Sequence, residues 1–231
     1  MSLRAQFLSS VCVLAISAGA AQAQGLPAPA GGWAGGYVGG LVGAGFSMNR
    51  FTDGVAPGLF VVGPAGSVYS SNPVGAALGL YAGYNWQVSP TGVVGVEADL
   101  TYNTASGSTV VAWTTLQAKA QFAGSLRVRA GVAMDRMLLY VTGGLAFGNP
   151  SVTLRDTAPG TTVYARSDSL RAGFVVGAGA EYMVSRNWTV RFEALYYDFG
   201  STRATDVTVG GYTFPTRSSQ LQARVGASYR F

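Results

Sequence analysis

The stretch LQARVGASYRF, from Leu221 to Phe231, alternates between apolar and polar side chains at every step. Successive side chains of a β-strand point to opposite faces, so one face of this strand is apolar and the other carries both arginines. About ten residues of this pattern, with aromatic side chains near the end, are what one strand of a transmembrane β-barrel requires. A half-buried strand of a soluble sheet shows the same alternation, so this stretch alone leaves both classes open.

The composition favours the membrane class. Of the 231 residues, 48% are hydrophobic and only 11% are charged, roughly half the usual charged share. After the N-terminus no apolar run reaches the length of about 18 residues that a transmembrane helix needs. A charge-poor chain of this kind suits a barrel that distributes its apolar residues over alternate positions of many strands. The length fits one domain.

The N-terminus predicts export. Arg4 precedes an apolar run from Phe7 to Ile16, and Ala21-Gln22-Ala23 then has the small-x-small pattern of a cleavage site. We expect residues 1–23 to be a signal peptide cleaved between Ala23 and Gln24, while a buried N-terminal helix is the alternative. Residues 24–32 are rich in Gly, Pro and Ala, which predicts a flexible lead-in.

Cysteine content and charge narrow the chemistry further. The only cysteine, Cys12, lies in the segment predicted to be removed, so no disulfide, thiol chemistry or lipid anchor on cysteine is expected in the mature protein. Removal of Arg4 leaves fourteen basic and ten acidic residues, which lowers the formal net charge from +5 to +4. A charge this small does not indicate a nucleic-acid partner.

Residues 33–231 contain eight stretches with strand periodicity. They are Trp33 to Phe46, Val74 to Gln87, Val94 to Tyr102, Ala120 to Ala133, Leu139 to Phe147, Arg171 to Met183, Trp188 to Tyr196 and Leu221 to Phe231. Their connections alternate between long and short, which is typical of an outer-membrane barrel with short periplasmic turns, long extracellular loops and both termini in the periplasm. A soluble barrel such as a lipocalin has no reason to sort its loops in this way. The sequence therefore predicts an all-β fold, an eight-stranded antiparallel up-and-down transmembrane β-barrel.

Short motifs recur across these strands. They are WAGGYVGG at Trp33 to Gly40, GVEAD at Gly95 to Asp99, RVRAG at Arg127 to Gly131, YVTGGLAFG at Tyr140 to Gly148, GAGAEY at Gly177 to Tyr182, EALYYDFG at Glu193 to Gly200, and the terminal RVGASYRF. In combination they resemble the small outer-membrane β-barrel, or porin-like surface antigen, family of Gram-negative bacteria. The resemblance implies an outer-membrane location in contact with lipid and lipopolysaccharide. It also implies that Tyr229 and Phe231 form part of the C-terminal signal read by the barrel-assembly machinery.

Charged side chains are expected inside the barrel. The inward strand positions carry four carboxylates and five arginines, namely Glu97, Asp99, Glu181 and Glu193 with Arg127, Arg129, Arg191, Arg224 and Arg230. The interior of an eight-stranded barrel is just wide enough for its own side chains to fill it. Paired arginines and carboxylates can satisfy one another there, whereas a lone buried charge is costly. We expect a polar plug, and a narrow or gated pore through the same network is the alternative.

Catalysis is not expected from this residue set. Glu97 and Asp99 lie two residues apart on one strand face among many arginines, which does not favour acid–base or metal chemistry. The chain has no histidine. Histidine-ligated haem or zinc is therefore excluded. The resemblance implies that outer-membrane barrel enzymes use Ser/His or Asp/His catalytic groups, and this chain cannot form them. We expect no cofactor, no metal and no enzymatic activity.

The leading hypothesis is a non-enzymatic envelope barrel or surface antigen. One alternative is a small-solute porin. Another is an adhesin that binds a host or surface ligand through the long loops at Ser47 to Pro73 and Asn149 to Leu170, which contain Tyr69 and Tyr164. Outward aromatic residues near strand ends are expected in the lipid headgroup layer, namely Trp86, Tyr102, Trp188 and Tyr229.

Overall fold

A computed structural model describes residues 32–52, 68–104, 106–111, 114–156, 164–167, 170–205 and 213–231. This part of the chain contains eleven strands: β1 (Gly35–Thr52), β2 (Val68–Ser71), β3 (Val74–Gln87), β4 (Gly92–Asn103), β5 (Ser106–Val111), β6 (Thr114–Met134), β7 (Met137–Asp156), β8 (Tyr164–Ser167), β9 (Arg171–Met183), β10 (Trp188–Thr205) and β11 (Thr213–Arg230). The predicted cleavage site at Ala21, Ala23 and Gln24 and the lead-in up to residue 31 lie outside the described residues. Within the described ranges, no helix is long and apolar enough to cross a membrane.

Eight of these strands form a closed antiparallel barrel. Their hydrogen-bonded order is β6, β4, β3, β1, β11, β10, β9 and β7, and β7 pairs again with β6. The first and last barrel strands pair from Tyr37 opposite Arg230 to Phe51 opposite Thr216. Closure leaves the ring without an unpaired edge, which a sheet surrounded by lipid requires. The predicted eight-stranded barrel is confirmed.

The two ends of the barrel differ. Three short turns, at residues 88–91, 135–136 and 184–187, lie at one end, here called the short-turn end. The chain terminus meets β1 there, because the backbone N–H of Phe231 donates to the carbonyl oxygen of Gly36 at 3.0 Å. The longer connections lie at the opposite end, here called the long-loop end.

The barrel wall is apolar outside and polar inside. Along β4 the side chains alternate without interruption, so that Leu100 is 60% exposed while its neighbours Asp99 and Thr101 are buried. Along β11, Val225 is 50% exposed and Arg224 is buried. This is the reverse of a water-soluble sheet protein, and it is the arrangement that a lipid environment requires.

Outward aromatic side chains gather near both ends of the barrel. The four residues expected in the headgroup layer, Trp86, Tyr102, Trp188 and Tyr229, all point outward. At the short-turn end the Trp188 and Tyr229 rings meet edge to face at a centroid distance of 5.5 Å. At the long-loop end Tyr102 meets Phe122 in the same way at 5.1 Å. Rings that pair in this geometry stabilise each other beyond the area they cover.

Several strands are longer than the sequence predicts. At the long-loop end β6 begins at Thr114, β7 continues to Asp156, β10 continues to Thr205, and the short strands β2, β5 and β8 pair with such extensions. Tyr69 and Tyr164 accordingly lie in β2 and β8 rather than in loops. The alternation that marks a strand in the sequence is a property of the lipid-facing band. Backbone pairing continues beyond that band, where no outward face has to be apolar.

Irregularities mark these extensions. The predicted break at Asp198-Phe199-Gly200 is a register shift between Asp198 and Ser201 inside β10, not the end of the strand. A second shift lies between Ala120 and Ala123 of β6, next to Pro150 of β7. Proline has no N–H to donate to a strand ladder, which explains a local irregularity at that point.

The first strand begins later than the sequence predicts. The predicted strand starts at Trp33, but β1 begins at Gly35, and Trp33 is only 1% exposed. The backbone turns at Gly35, whose φ of 121° lies in a region that glycine tolerates better than other residues.

Inward glycines make room for tyrosines on the neighbouring strands. The three pairs lie directly opposite each other in the register: Tyr37 with Gly83, Tyr81 with Gly39, and Tyr140 with Gly179. In each pair a Cβ atom added to the glycine would collide with the tyrosine ring. The glycines therefore allow three large rings to lie flat against the inner wall of a narrow barrel.

Candidate functional site: the charged lumen

The barrel interior holds all nine charged residues singled out from the sequence. Each of them is buried. Eight lie in one connected cluster near the middle of the barrel, and Arg230 lies apart from them at the short-turn end. We refer to the eight as the lumen network, namely Glu97, Asp99, Arg127, Arg129, Glu181, Arg191, Glu193 and Arg224.

Glu97 is the centre of the lumen network. Its carboxylate forms an ion pair with Arg127 and a second one with Nη1 of Arg191 at 2.5 Å. Nη1 of Arg129 lies 3.5 Å away, and the Tyr37 hydroxyl donates to Oε2 at 2.8 Å. Three guanidinium groups and one phenol thus surround a single carboxylate, which leaves it no free side for a substrate.

Arg127 and Arg224 link the next two carboxylates. Glu193 accepts from Nη1 of Arg127 and from Nη2 of Arg224, each at 2.9 Å. Asp99 accepts from Nη1 of Arg224 at 3.0 Å and lies 3.4 Å from Nη2 of Arg127. Opposite charges therefore alternate around the barrel axis. Charge-assisted contacts of this kind are the strong ones when their geometry is held fixed.

The pair of Arg129 and Glu181 forms the end of the lumen network that faces the short turns. Their atoms Nη2 and Oε2 lie 3.1 Å apart. The Nε–H of Arg129 donates to Oδ1 of Asn85 at 2.9 Å, and the Thr189 hydroxyl donates to Oε1 of Glu181 at 2.7 Å. Both charged groups are thus held by a neutral partner as well as by each other.

Aromatic rings hold the guanidinium groups in place. The Cζ atom of Arg129 lies 4.9 Å from the ring centroid of Tyr37 and 4.8 Å from that of Tyr140. The Cζ atom of Arg191 lies 3.5 Å above the ring of Tyr81. A cation over an aromatic face is favourable, and more so where water is excluded. The same glycine-backed tyrosines that shape the inner wall therefore also position the arginines.

Sequence analysis missed the neutral partners of this site. Tyr37, Tyr81, Tyr140 and Asn85 are buried beside the charges, and none of them is among the predicted site residues. A signal was present, because each of the four occupies a position of inward parity on its strand.

Between the lumen network and the long-loop end, the inner wall has a polar side and an apolar side. One side carries the amide side chains of Asn103, Gln220 and Gln222, which are buried and joined by hydrogen bonds of 3.1 and 3.3 Å. The other side carries an apolar cluster, namely Ala146, Val175, Leu195, Tyr197 and Phe199. Neither side adds a charge to the network.

The geometry of the lumen network suits a structural lock, meaning a set of ion pairs that holds the strands together, better than it suits a reaction centre. Every carboxylate in it contacts at least one arginine, so none is available as an acid, a base or a ligand. Among the described residues, no three His, Cys, Asp or Glu side chains are grouped so as to hold a metal ion. Buried charges that neutralise one another connect the strands that carry them, and removing one partner leaves the other uncompensated.

Comparison with known proteins places the chain among outer-membrane proteins. Residues 9–231 match the family model described as outer membrane protein beta-barrel domain. The 31 kDa outer-membrane immunogenic protein of Brucella melitensis biotype 1 is 34% identical over 158 residues, which cover 66% of this chain and 65% of the relative. The 22 kDa outer membrane protein of Rhizobium leguminosarum bv. viciae is 33% identical over 150 residues, which cover 65% of this chain and 64% of the relative. The match thus spans slightly less than two thirds of each relative.

Solved structures of similar shape have low sequence identity to this chain. The outer membrane protein OprG from Pseudomonas aeruginosa is 14% identical with a TM-score of 0.49, over 86% of this chain and 96% of OprG. Neisserial surface protein A is 17% identical with a TM-score of 0.44, over 85% of this chain and 97% of that protein.

Proposed function

This chain belongs to the outer membrane protein β-barrel domain family, and from that premise we propose that it is a non-enzymatic barrel that stabilises the envelope and displays its long loops as a surface antigen. The family match confirms the resemblance seen in the sequence motifs and the outer-membrane location. The Brucella relatives, of 31 kDa and 25 kDa, are named outer-membrane immunogenic proteins, which supports surface display.

One observation carries the structural role. The lumen network, with its neutral partners, reaches all eight barrel strands. Tyr37 connects it to β1, Asn85 to β3 and Tyr140 to β7, while the charged residues themselves lie on β4, β6, β9, β10 and β11. A set of ion pairs that touches every strand resists any separation of neighbouring strands, and it fills the axis along which ions would move.

The orientation follows from the asymmetry of the ends. We place the short-turn end and both termini of the barrel in the periplasm, and the long-loop end at the cell surface. The short turns and the longer connections are sorted as in known outer-membrane barrels. The carboxyl-terminal Tyr229 and Phe231 point outward at the short-turn end, where they would be accessible to the barrel-assembly machinery.

A gated pore is the second candidate. It is favoured by the line of polar inward side chains on β11, which is interrupted at Gly226 and consists of Arg230, Ser228, Arg224, Gln222, Gln220 and Ser218. Such a line would serve a solute path if the network could rearrange. In that case the same residues act as a gate rather than as a permanent lock.

Single-channel recording in planar bilayers separates the two roles. We expect the refolded wild-type protein to be silent, and the double variant with Arg127→Ala and Arg129→Ala to conduct, because two of the four network cations are removed. Arg136→Ala in an exposed turn is the matched control and should stay silent. Steady conductance of the wild type would overturn the lock and establish the pore. A silent double variant would show that the network is not what blocks the axis.

A further inference from the structure

A residue that belongs to no strand is buried at the short-turn mouth of the barrel. Trp33 precedes β1, yet its side chain is buried among inward residues at the mouth. It packs in one apolar cluster with Val93 of β4, Ala133 of β6, and Leu138 and Tyr140 of β7, and Met183 of β9 lies against that cluster. A large, fully buried side chain thus lies at the end of a polar lumen.

Contacts with side chains of the barrel wall hold the segment that carries Trp33. The backbone N–H of Trp33 donates to Oε1 of Gln87 at 3.1 Å. Nη2 of Arg230 donates to the carbonyl oxygen of Ala34 at 3.3 Å, and its guanidinium lies 5.3 Å from the Trp33 ring centroid. The strand ladders of β1 begin at Gly35, so the segment before Gly35 lies outside them.

The chain bends at one residue between the ladder and the buried indole. Gly35 has a φ of 121°, and a Cβ atom there would stand 3.2 Å from the carbonyl oxygen of Phe231. A glycine at this point allows the backbone to leave β1 and enter the mouth, and it also allows the chain to turn the other way.

We propose that Trp33 is a reversible stopper of the short-turn mouth, with Gly35 as its hinge and Arg230 as its latch. Behind the stopper lies the pair of Arg129 and Glu181, the first charged pair of the lumen network. The lumen is therefore closed twice in series, by an apolar plug at the mouth and by ion pairs deeper inside. The stopper does not depend on the role proposed above, because it concerns only which part of the lumen water reaches from the short-turn end.

Cysteine accessibility tests the stopper directly. In the full chain with Cys12→Ser, Val93→Cys places a thiol in the buried cluster that contains Trp33, at a position that is only 2% exposed. The probe is a membrane-impermeant, negatively charged methanethiosulfonate added to the folded protein in detergent. We expect slow but complete labelling when Trp33 is present, and labelling faster by about tenfold or more with Trp33→Ala, because the opening step is then no longer needed. Arg230→Gln should give an intermediate rate.

Two controls keep the result interpretable. Trp86→Ala removes an outward tryptophan and should leave the labelling rate of Val93→Cys unchanged. Thr101→Cys places a buried thiol near Arg224 on the far side of the lumen network, and it should stay slow in the Trp33→Ala protein.

Three outcomes would overturn the proposal. Equal labelling rates for Val93→Cys with and without Trp33 would show that the indole does not seal the mouth. Faster labelling of both Val93→Cys and Thr101→Cys in the Trp33→Ala protein would show that Trp33 supports the whole barrel rather than closing one end. If Val93→Cys is never labelled while Trp33 is present, the closure is permanent and Gly35 is not a hinge.

Discussion

Tyr140 of β7 lies directly opposite Gly179 of β9, and a Cβ atom on that glycine would stand 2.6 Å from both Cζ and Oη of the tyrosine. The ring can lie flat only because the glycine has no side chain. From there the hydroxyl donates to Oε1 of Glu193 at 3.1 Å, and the ring faces the guanidinium of Arg129. The missing side chain of Gly179 on β9 thus determines how Glu193 of β10 and Arg129 of β6 are held.

Gly179→Ala should therefore destabilise the barrel. The added methyl group has to displace the Tyr140 ring, and overpacking of this kind costs about 1–3 kcal/mol in the free energy of unfolding. Gly40→Ala is the matched control, because the nearest atom to its Cβ would be 3.9 Å away. Urea unfolding of both variants in lipid vesicles checks the difference. If the two variants were equally stable, the tyrosine would not need the glycine.

Replacement of two arginines of β11 should change the free energy of unfolding by very different amounts. Arg224 is buried between Asp99 and Glu193, so Arg224→Ala leaves two carboxylates short of a partner and should cost about 3–5 kcal/mol in the free energy of unfolding. Arg217 forms an ion pair with Asp198 at 2.9 Å, but its side chain is 64% exposed, so solvent screens the charge and Arg217→Ala should have a much smaller effect. Thermal unfolding of the two variants measures the contrast. A similar, small effect for both would mean that the lumen network adds little stability.

The pair of Arg129 and Glu181 should be energetically coupled. Arg129→Met and Glu181→Gln each break the 3.1 Å contact, and the double variant removes both partners together. We expect a coupling energy of about 0.5–3 kcal/mol from the double-mutant cycle, because contacting residues are not additive. As a distant reference, Asp135→Asn in an exposed turn combined with Arg129→Met should be additive. Additivity in the first cycle would contradict the pairing.

Phe231 should matter for assembly more than for stability. Its side chain is 79% exposed, and its ring meets the Tyr229 ring edge to face at a centroid distance of 5.5 Å. We expect Phe231→Ala to reduce the amount of barrel that reaches the outer membrane of an expressing cell, while the refolded variant keeps its unfolding temperature. Val225→Ala, an outward change within the same strand, serves as the control. Normal membrane levels of Phe231→Ala would show that the terminal aromatic is not part of the assembly signal.

Alternation along the chain predicts the strands, because a strand of a lipid-facing wall must place apolar and polar residues on opposite faces. The low charge content and the alternation of short and long connections then predict the barrel. The inward parity of Glu97 and Arg191 follows from the same rule. The rule says nothing of which partners meet, since these two residues are 94 positions apart and come together only when the barrel closes. The alternation rule also ceases to apply where lipid contact ends, so the sequence does not predict the extensions of β6 and β7. Trp33 has the same parity as Tyr37 and Leu41, and that signal could have predicted its inward position.

The lumen network joins strands that are far apart in the sequence, and this has a consequence for insertion into the membrane. Glu97 meets Arg127 on a nearby strand, 30 residues along the chain, but its other close partner comes from β10, and Asp99 needs Arg224, which lies 125 residues further on. A partly assembled sheet of the first strands would therefore hold carboxylates without their full complement of cations. Ionised groups in that state are strongly disfavoured in hydrocarbon. Insertion of this protein should accordingly be an all-or-none event, in which the last hairpin neutralises the first strands at the moment the ring closes.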